Sequence, residues 1–103
     1  MKAKIVANTK IQGKLSRFDE MVNDGKISFI LYSIETKDVL CSTSDYNIKD
    51  ANIEQGRRAV IEVIFEVDTD ESISNIDYVC VMDNNPYVSI IEDKIKEVIV
   101  ISE

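Results

Sequence analysis

Two stretches of this chain alternate apolar and polar residues so strictly that the backbone has little choice. From Arg57 to Val67, the residues Ala59, Ile61, Val63, Phe65 and Val67 take one side, and Arg58, Val60, Glu62, Ile64 and Glu66 take the other. From Lys2 to Gln12, Ala3, Ile5, Ala7, Thr9 and Ile11 face one way. Lys2, Lys4, Asn8, Lys10 and Gln12 face the other, with Val6 the exception. A period of two lets an extended strand bury one face; a helix would scatter the same residues around its circumference. Ile and Val dominate the apolar set, and their branched Cβ suits a pleated strand.

The remaining segments extend this pattern. Residues 15 to 24 read as a short helix or turn, with Leu15, Phe18 and Val22 on one face, Ser16 as N-cap and Asn23-Asp24-Gly25 as the stop. Lys26 to Glu35 is apolar on both faces and belongs centrally in a sheet. Glu35-Thr36-Lys37-Asp38 makes a hairpin loop, and Val39 to Thr43 returns as a strand. Ser44 to Gly56 reads as a loop with at most one helical turn. Asp68 to Ser72 is a charged loop, and Asp77 to Met82 a strand closed by Asp83-Asn84-Asn85-Pro86.

The last segment supports two readings. Val88, Ile91, Ile95 and Val98 lie at helical spacing after an Asn85-Pro86 helix start, which allows a helix over 86 to 96. Its richness in Ile and Val favours strands at Tyr87 to Ile91 and Lys96 to Ser102, with a turn at Glu92-Asp93. The expected fold is mainly β: a small antiparallel β-sandwich or open barrel with one or two short helices at most. A chain of 103 residues makes one domain, 1 to 103, and can bury roughly 60–70% of its unfolded surface without a metal or disulfide framework.

Charge and missing residue types narrow the function classes. The net charge is −7, and the excess acid lies after residue 36. Such a chain repels phosphate backbones and anionic lipid, and attracts basic protein surfaces. There is no histidine, which removes Ser-His-Asp and Cys-His chemistry. Cys41 and Cys80 lack the paired spacing of a zinc site and read as small buried hydrophobes. Gly13-Lys14-Leu15-Ser16 lacks the upstream glycine of a phosphate loop. A calcium loop starting at Asp68 would need glycine where Ile73 stands and glutamate where Val79 stands. Glu62 and Glu66 share a strand face about 13 Å apart, too far for a glycosidase pair.

No catalytic residue, metal site or cofactor is therefore assigned. With no signal peptide and no long apolar run, the expected location is the cytoplasm. Lys2, Lys4 and Lys10 read as protection of an edge strand, although with Lys14, Arg17 and the rings of Phe18 and Tyr32 they also suggest an OB-like single-strand binder. The reading that fits the charge best is a non-enzymatic acidic protein that docks on a basic, nucleic-acid-handling protein as an inhibitor or antagonist. Glu62, Glu66, Asp68, Asp70 and Glu71 are the candidate contact residues. A self-assembling module that pairs copies through the apolar strand Val98 to Ile101, as a homo-oligomer, is the alternative.

Overall fold

The computed structural model describes residues 1–52 and 58–102, and within them the chain forms seven strands and one α-helix. The strands are β1 (Lys2–Gly13), β2 (Ile27–Ser33), β3 (Val39–Thr43), β4 (Asn47–Asn52), β5 (Arg58–Asp68), β6 (Ile76–Met82) and β7 (Val88–Ser102). The helix, α1 (Leu15–Asn23), joins β1 to β2, and a 3₁₀ turn at Ile73–Asn75 precedes β6. Two antiparallel sheets result: a four-stranded sheet in the order β4-β5-β1-β7, and a three-stranded sheet in the order β3-β2-β6.

The alternating residues of β1 and β5 form the inner face of the large sheet. Ile5, Ala7, Thr9, Ile11, Ile61, Val63 and Phe65 are all essentially sealed from water. They pack on Phe29, Leu31 and Tyr78 of the small sheet, with the Phe65 and Tyr78 rings 5.9 Å apart across the gap. The fold is thus two layers around one core, open at its seams rather than closed into a barrel.

Helix α1 plugs one end. Phe18 and Val22 recur one turn apart and are buried, and Phe18 stacks at 6.3 Å on Phe29 and edge-on at 5.4 Å on Tyr46. Ser16 is not the N-cap: that position falls to Lys14, which makes no side-chain cap. Gly25 ends the helix at φ +73°, where its N–H reaches Val22 O. Gly13 turns the chain from β1 into α1 at φ +135°, and any Cβ there would stand 2.0 Å from Tyr87 O.

Three expectations change. The stretch from Asn47 to Asn52 is a strand rather than loop, paired along the outer side of β5 with a register shift between Ile48 and Asp50. Its polar residues tolerate an edge position, which is why no apolar alternation marked it. Second, β1 is not an edge strand, because β5 and β7 flank it on both sides. Its lysines lie opposite acids instead: Lys2 across from Asp68 and Lys4 across from Glu66. Third, β7 is one continuous strand of 15 residues, with no turn at Glu92-Asp93 and no helix.

The reason lies in its register with β1. Ladder shifts between Lys10 and Ile11, between Val6 and Ala7, and between Lys2 and Ala3 leave Ile91, Lys96 and Ile101 as extra residues, one every five positions. Each bulge advances the phase of the strand by one. The partners of the inward β1 residues are then Val88 across from Gly13, Ile90, Asp93, Ile95, Val98 and Val100, spaced alternately two and three apart. That spacing lies between strand and helix periods, and explains why this segment supports both patterns. The start of β5 expected at Arg57 lies outside the described residues.

Candidate protein-binding surface

Strand β2 is apolar on both faces and central in its sheet, as its sequence implies, but only one of those faces is covered. Ile27, Phe29, Leu31 and Ser33 point into the core, while Ser28, Ile30 and Tyr32 point out. The cross-strand neighbours of the outward set are Val81, Val79 and Asp77 on β6, and Ser42 and Val39 on β3. On this outward side Val39 stays 60% exposed and Val81 46% exposed, while Ile30, Tyr32 and Val79 are half-buried. The result is a flat apolar stripe from Val81 through Val79 and Ile30 to Tyr32 and Val39.

Tyr32 sits at the polar end of the stripe. Its hydroxyl donates to Asp77 Oδ2 across a long 3.4 Å, and Lys37 Nζ lies 5.6 Å from the ring centroid. Burial first, and the Asp77 carboxylate next, push the phenol pKa up, so the ring keeps its proton at neutral pH. An aromatic ring with a polar tip, set among aliphatic residues and rimmed by charge, has the composition of a protein-interface centre.

Past Tyr32 the surface becomes acidic, and one residue organises that end. Asn75 O accepts Ile34 N at 2.8 Å, and Asn75 Oδ1 accepts Glu35 N at 3.0 Å. Its Nδ2 donates to Ser33 Oγ at 3.1 Å and to Glu71 Oε2 at 2.5 Å. Asn75 therefore clamps the β2–β3 hairpin to the β5–β6 loop. The N-terminal ammonium donates to Thr69 O at 2.8 Å and fixes the other side of that loop. Glu35, Asp38, Asp68, Asp70 and Glu71 are gathered at this end of the sandwich, and Asp68, Asp70, Glu71 and Leu40 line one shallow open groove.

The five acids expected to form a contact face divide into two groups. Asp68, Asp70 and Glu71 stand together at the tip. Glu62 and Glu66 lie on the outer face of the large sheet, away from the stripe. Glu62 is only 9% exposed, with Lys49 Nζ at 3.5 Å from its carboxylate, and Glu66 faces Lys4 across the ladder. Phe18, suggested as a base-stacking ring, is buried in the core and unavailable.

Polar groups also meet inside the sandwich. Thr9 donates to Asp93 Oδ1 at 2.7 Å, so its single hydrogen is used and Tyr78, 2.6 Å away, donates to Thr9. Asp93 Oδ2 accepts Cys80 N at 3.2 Å. Burial pushes the Cys80 thiol up to about 12 and the Tyr78 phenol up as well, which keeps both protonated. These groups close the seam between β6 and β7 rather than line a cavity.

No family model matches the chain, and neither curated proteins nor solved structures provide a match. Among the described residues no group of three or more Cys, Asp or Glu side chains is placed to hold a metal ion. None of the described helices is long and apolar enough to cross a membrane. The Tyr32 surface was half visible in the sequence, since a segment apolar on both faces announces two contacts. Asn75 gave no signal, because its role depends on two loops meeting.

Proposed function

We propose that this chain is a non-enzymatic protein-binding domain that docks a basic protein through the outer face of its three-stranded sheet. The observation that carries this reading is the outward stripe of Val81, Val79, Ile30, Tyr32 and Val39, exposed at Val39 and Val81 and half-buried between them, running into the acidic tip. The stripe supplies apolar area that ends on an aromatic residue, and the tip beyond it supplies negative field. The partner that fits presents apolar side chains beside a cluster of Arg or Lys. Proteins that handle nucleic acid carry such surfaces, and covering one would antagonise it.

Two residue sets take separate roles. Tyr32, Ile30 and Val79 supply the contact that slows dissociation, while Asp68, Asp70, Glu71, Glu35 and Asp38 steer approach. Recovery of a stoichiometric basic partner at low salt tests it, with the wild type compared against Tyr32→Ser and against Asp70→Lys/Glu71→Lys. The expected outcome is loss of the partner with Tyr32→Ser and a reduced, less salt-sensitive association rate with the double charge reversal. Equal recovery by all three proteins would remove the proposal.

A further inference from the structure

The strand β7 ends one edge of the large sheet, and among the described residues β1 is its sole strand partner. Near Asp93 its free side is occupied by β6, through the hydrogen bond from Cys80 N. Beyond that point no described strand pairs with this edge. Its last five described residues, Val98-Ile99-Val100-Ile101-Ser102, carry no charge and no proline. Ile99, Val100 and Ile101 are 42%, 41% and 64% exposed. Edge strands are ordinarily blunted by lysine, proline or a covering loop, and this run has none of them in its own sequence.

We infer that this edge pairs with the same edge of a second copy, antiparallel and about a two-fold axis, joining two four-stranded sheets into one. Antiparallel pairing of identical strands is self-complementary, so one contact closes the assembly. The axis is placed by the side chains. With Ile99 facing Ile99 of the second copy, Val98 faces Val100, Glu97 faces Ile101 and Lys96 faces Ser102. No like charges oppose one another in that register. Moving the axis two residues toward the start of the strand would set Glu97 against Glu97, a destabilising arrangement.

Charge supports this register in a second way. Lys2 of β1 lies beside Ser102, and Lys2 and Glu97 both belong to the outer face, as the ladder places Glu97 across from Val6. In the two-fold pair, Glu97 of one copy therefore stands two strands from Lys2 of the other, about 10 Å between backbones. Two long side chains span that distance. Each copy carries −7 overall, yet here each offers the other a complementary ion pair. A pairing of about seven residues buries well under the roughly 800 Å² per partner of a standard interface, so the dimer is weak and forms with rising concentration.

Sedimentation equilibrium of the full chain from about 10 µM to 1 mM tests this, since weak interfaces dissociate in that range. The wild type should move from monomer to dimer. Ile99→Lys, which brings two lysines together on the axis, should weaken the dimer at least about tenfold. Glu97→Lys should weaken it, and adding Lys2→Glu should restore it. Amide exchange on the wild type gives a readout free of any folding defect: protection over 97–102 should rise with concentration. A wild type that stays monomeric, a dimer indifferent to Ile99→Lys, or concentration-independent exchange over 97–102 would each overturn the inference.

Discussion

Thr9 and Asp93, 84 positions apart in the chain, meet across the β1–β7 ladder, where the Thr9 hydroxyl donates to Asp93 Oδ1 at 2.7 Å. The other carboxylate oxygen takes Cys80 N, so one side chain ties the edge of the large sheet to the edge of the small one. Burial raises the Asp93 pKa; the Thr9 and Cys80 hydrogen bonds pull it back in part, and the charge of Asp77 adds to the rise. A carboxyl whose folded pKa exceeds its unfolded value takes up a proton on folding. Its stabilising contribution is complete below the ordinary value of 3.8 and is lost as pH rises through the folded value. Urea melts of wild type and Asp93→Asn from pH 7 to pH 4 should therefore show the difference moving in favour of the wild type as pH falls. Movement in the opposite direction would contradict this reading of the seam.

The two thiols should differ sharply in reactivity. Cys80 is buried on β6 with its pKa raised to about 12, whereas Cys41 is half-buried on β3. Burial also raises the Cys41 thiol, so neither is a strong nucleophile at neutral pH. Titration with a thiol reagent at pH 8 should label Cys41 slowly and leave Cys80 untouched until denaturant is added. Fast labelling of both in the native protein would show that the β6–β7 seam opens readily.

Asn75 should matter more than its position in a surface loop suggests. Asn75→Ala leaves Glu35 N without its acceptor and frees Glu71 from its partner. Loss of hydrogen bonds of this kind costs about 1–3 kcal/mol, and at this chain length each kcal/mol lowers Tm by roughly 4–8 °C. Thermal unfolding measures the loss, and amide exchange should localise it to residues 34–38 and 69–75. An unchanged Tm would mean that the acidic tip is held by other contacts.

Gly13 is a backbone requirement. Alanine there would have to adopt φ +135° and would drive its Cβ into Tyr87 O. Strained backbone alone costs about 1–3 kcal/mol, and relieving the clash must move the start of β7. Gly13→Ala should lower Tm by at least about 5 °C, whereas Gly25→Ala, where a Cβ meets nothing within 4 Å, should cost less despite φ +73°. Reversal of that order would contradict the close approach at Gly13.

Legibility in the sequence followed the regularity of the ladder. β1 and β5 pair residue for residue from Lys2–Asp68 to Gln12–Arg58 without a shift, so their alternation survives intact and their faces can be read directly. β7 pairs with the same strand through three shifts, and its inward residues no longer share a single period. β4 hides for a different reason: as an edge strand with a shift beside Lys49, it needs few apolar residues. The acidic site was partly legible. Asp68, Asp70 and Glu71 are neighbours in sequence and remain so in space, but only the sheet order shows that Glu62 and Glu66 sit opposite Asn8 and Lys4 on another surface. That Tyr32 would be left uncovered depends on how many layers the fold has, which no local pattern encodes.

The surface around Tyr32 should be separable from stability. Tyr32→Ser and Ile30→Lys replace outward, half-buried side chains outside the core, and such changes usually alter stability by less than about 1 kcal/mol. Cross-linking of the low-salt partner complex, followed by mapping of the linked and exchange-protected residues, shows whether the partner sits on the face around Tyr32. Cross-links from Lys37, protection over Ser28–Tyr32 and Val79–Val81, and loss of the complex with Tyr32→Ser while the folded state is unchanged are expected. A partner whose footprint falls on the outer face of the large sheet, around Glu62 and Glu66, and which binds Tyr32→Ser as well as the wild type, would contradict it.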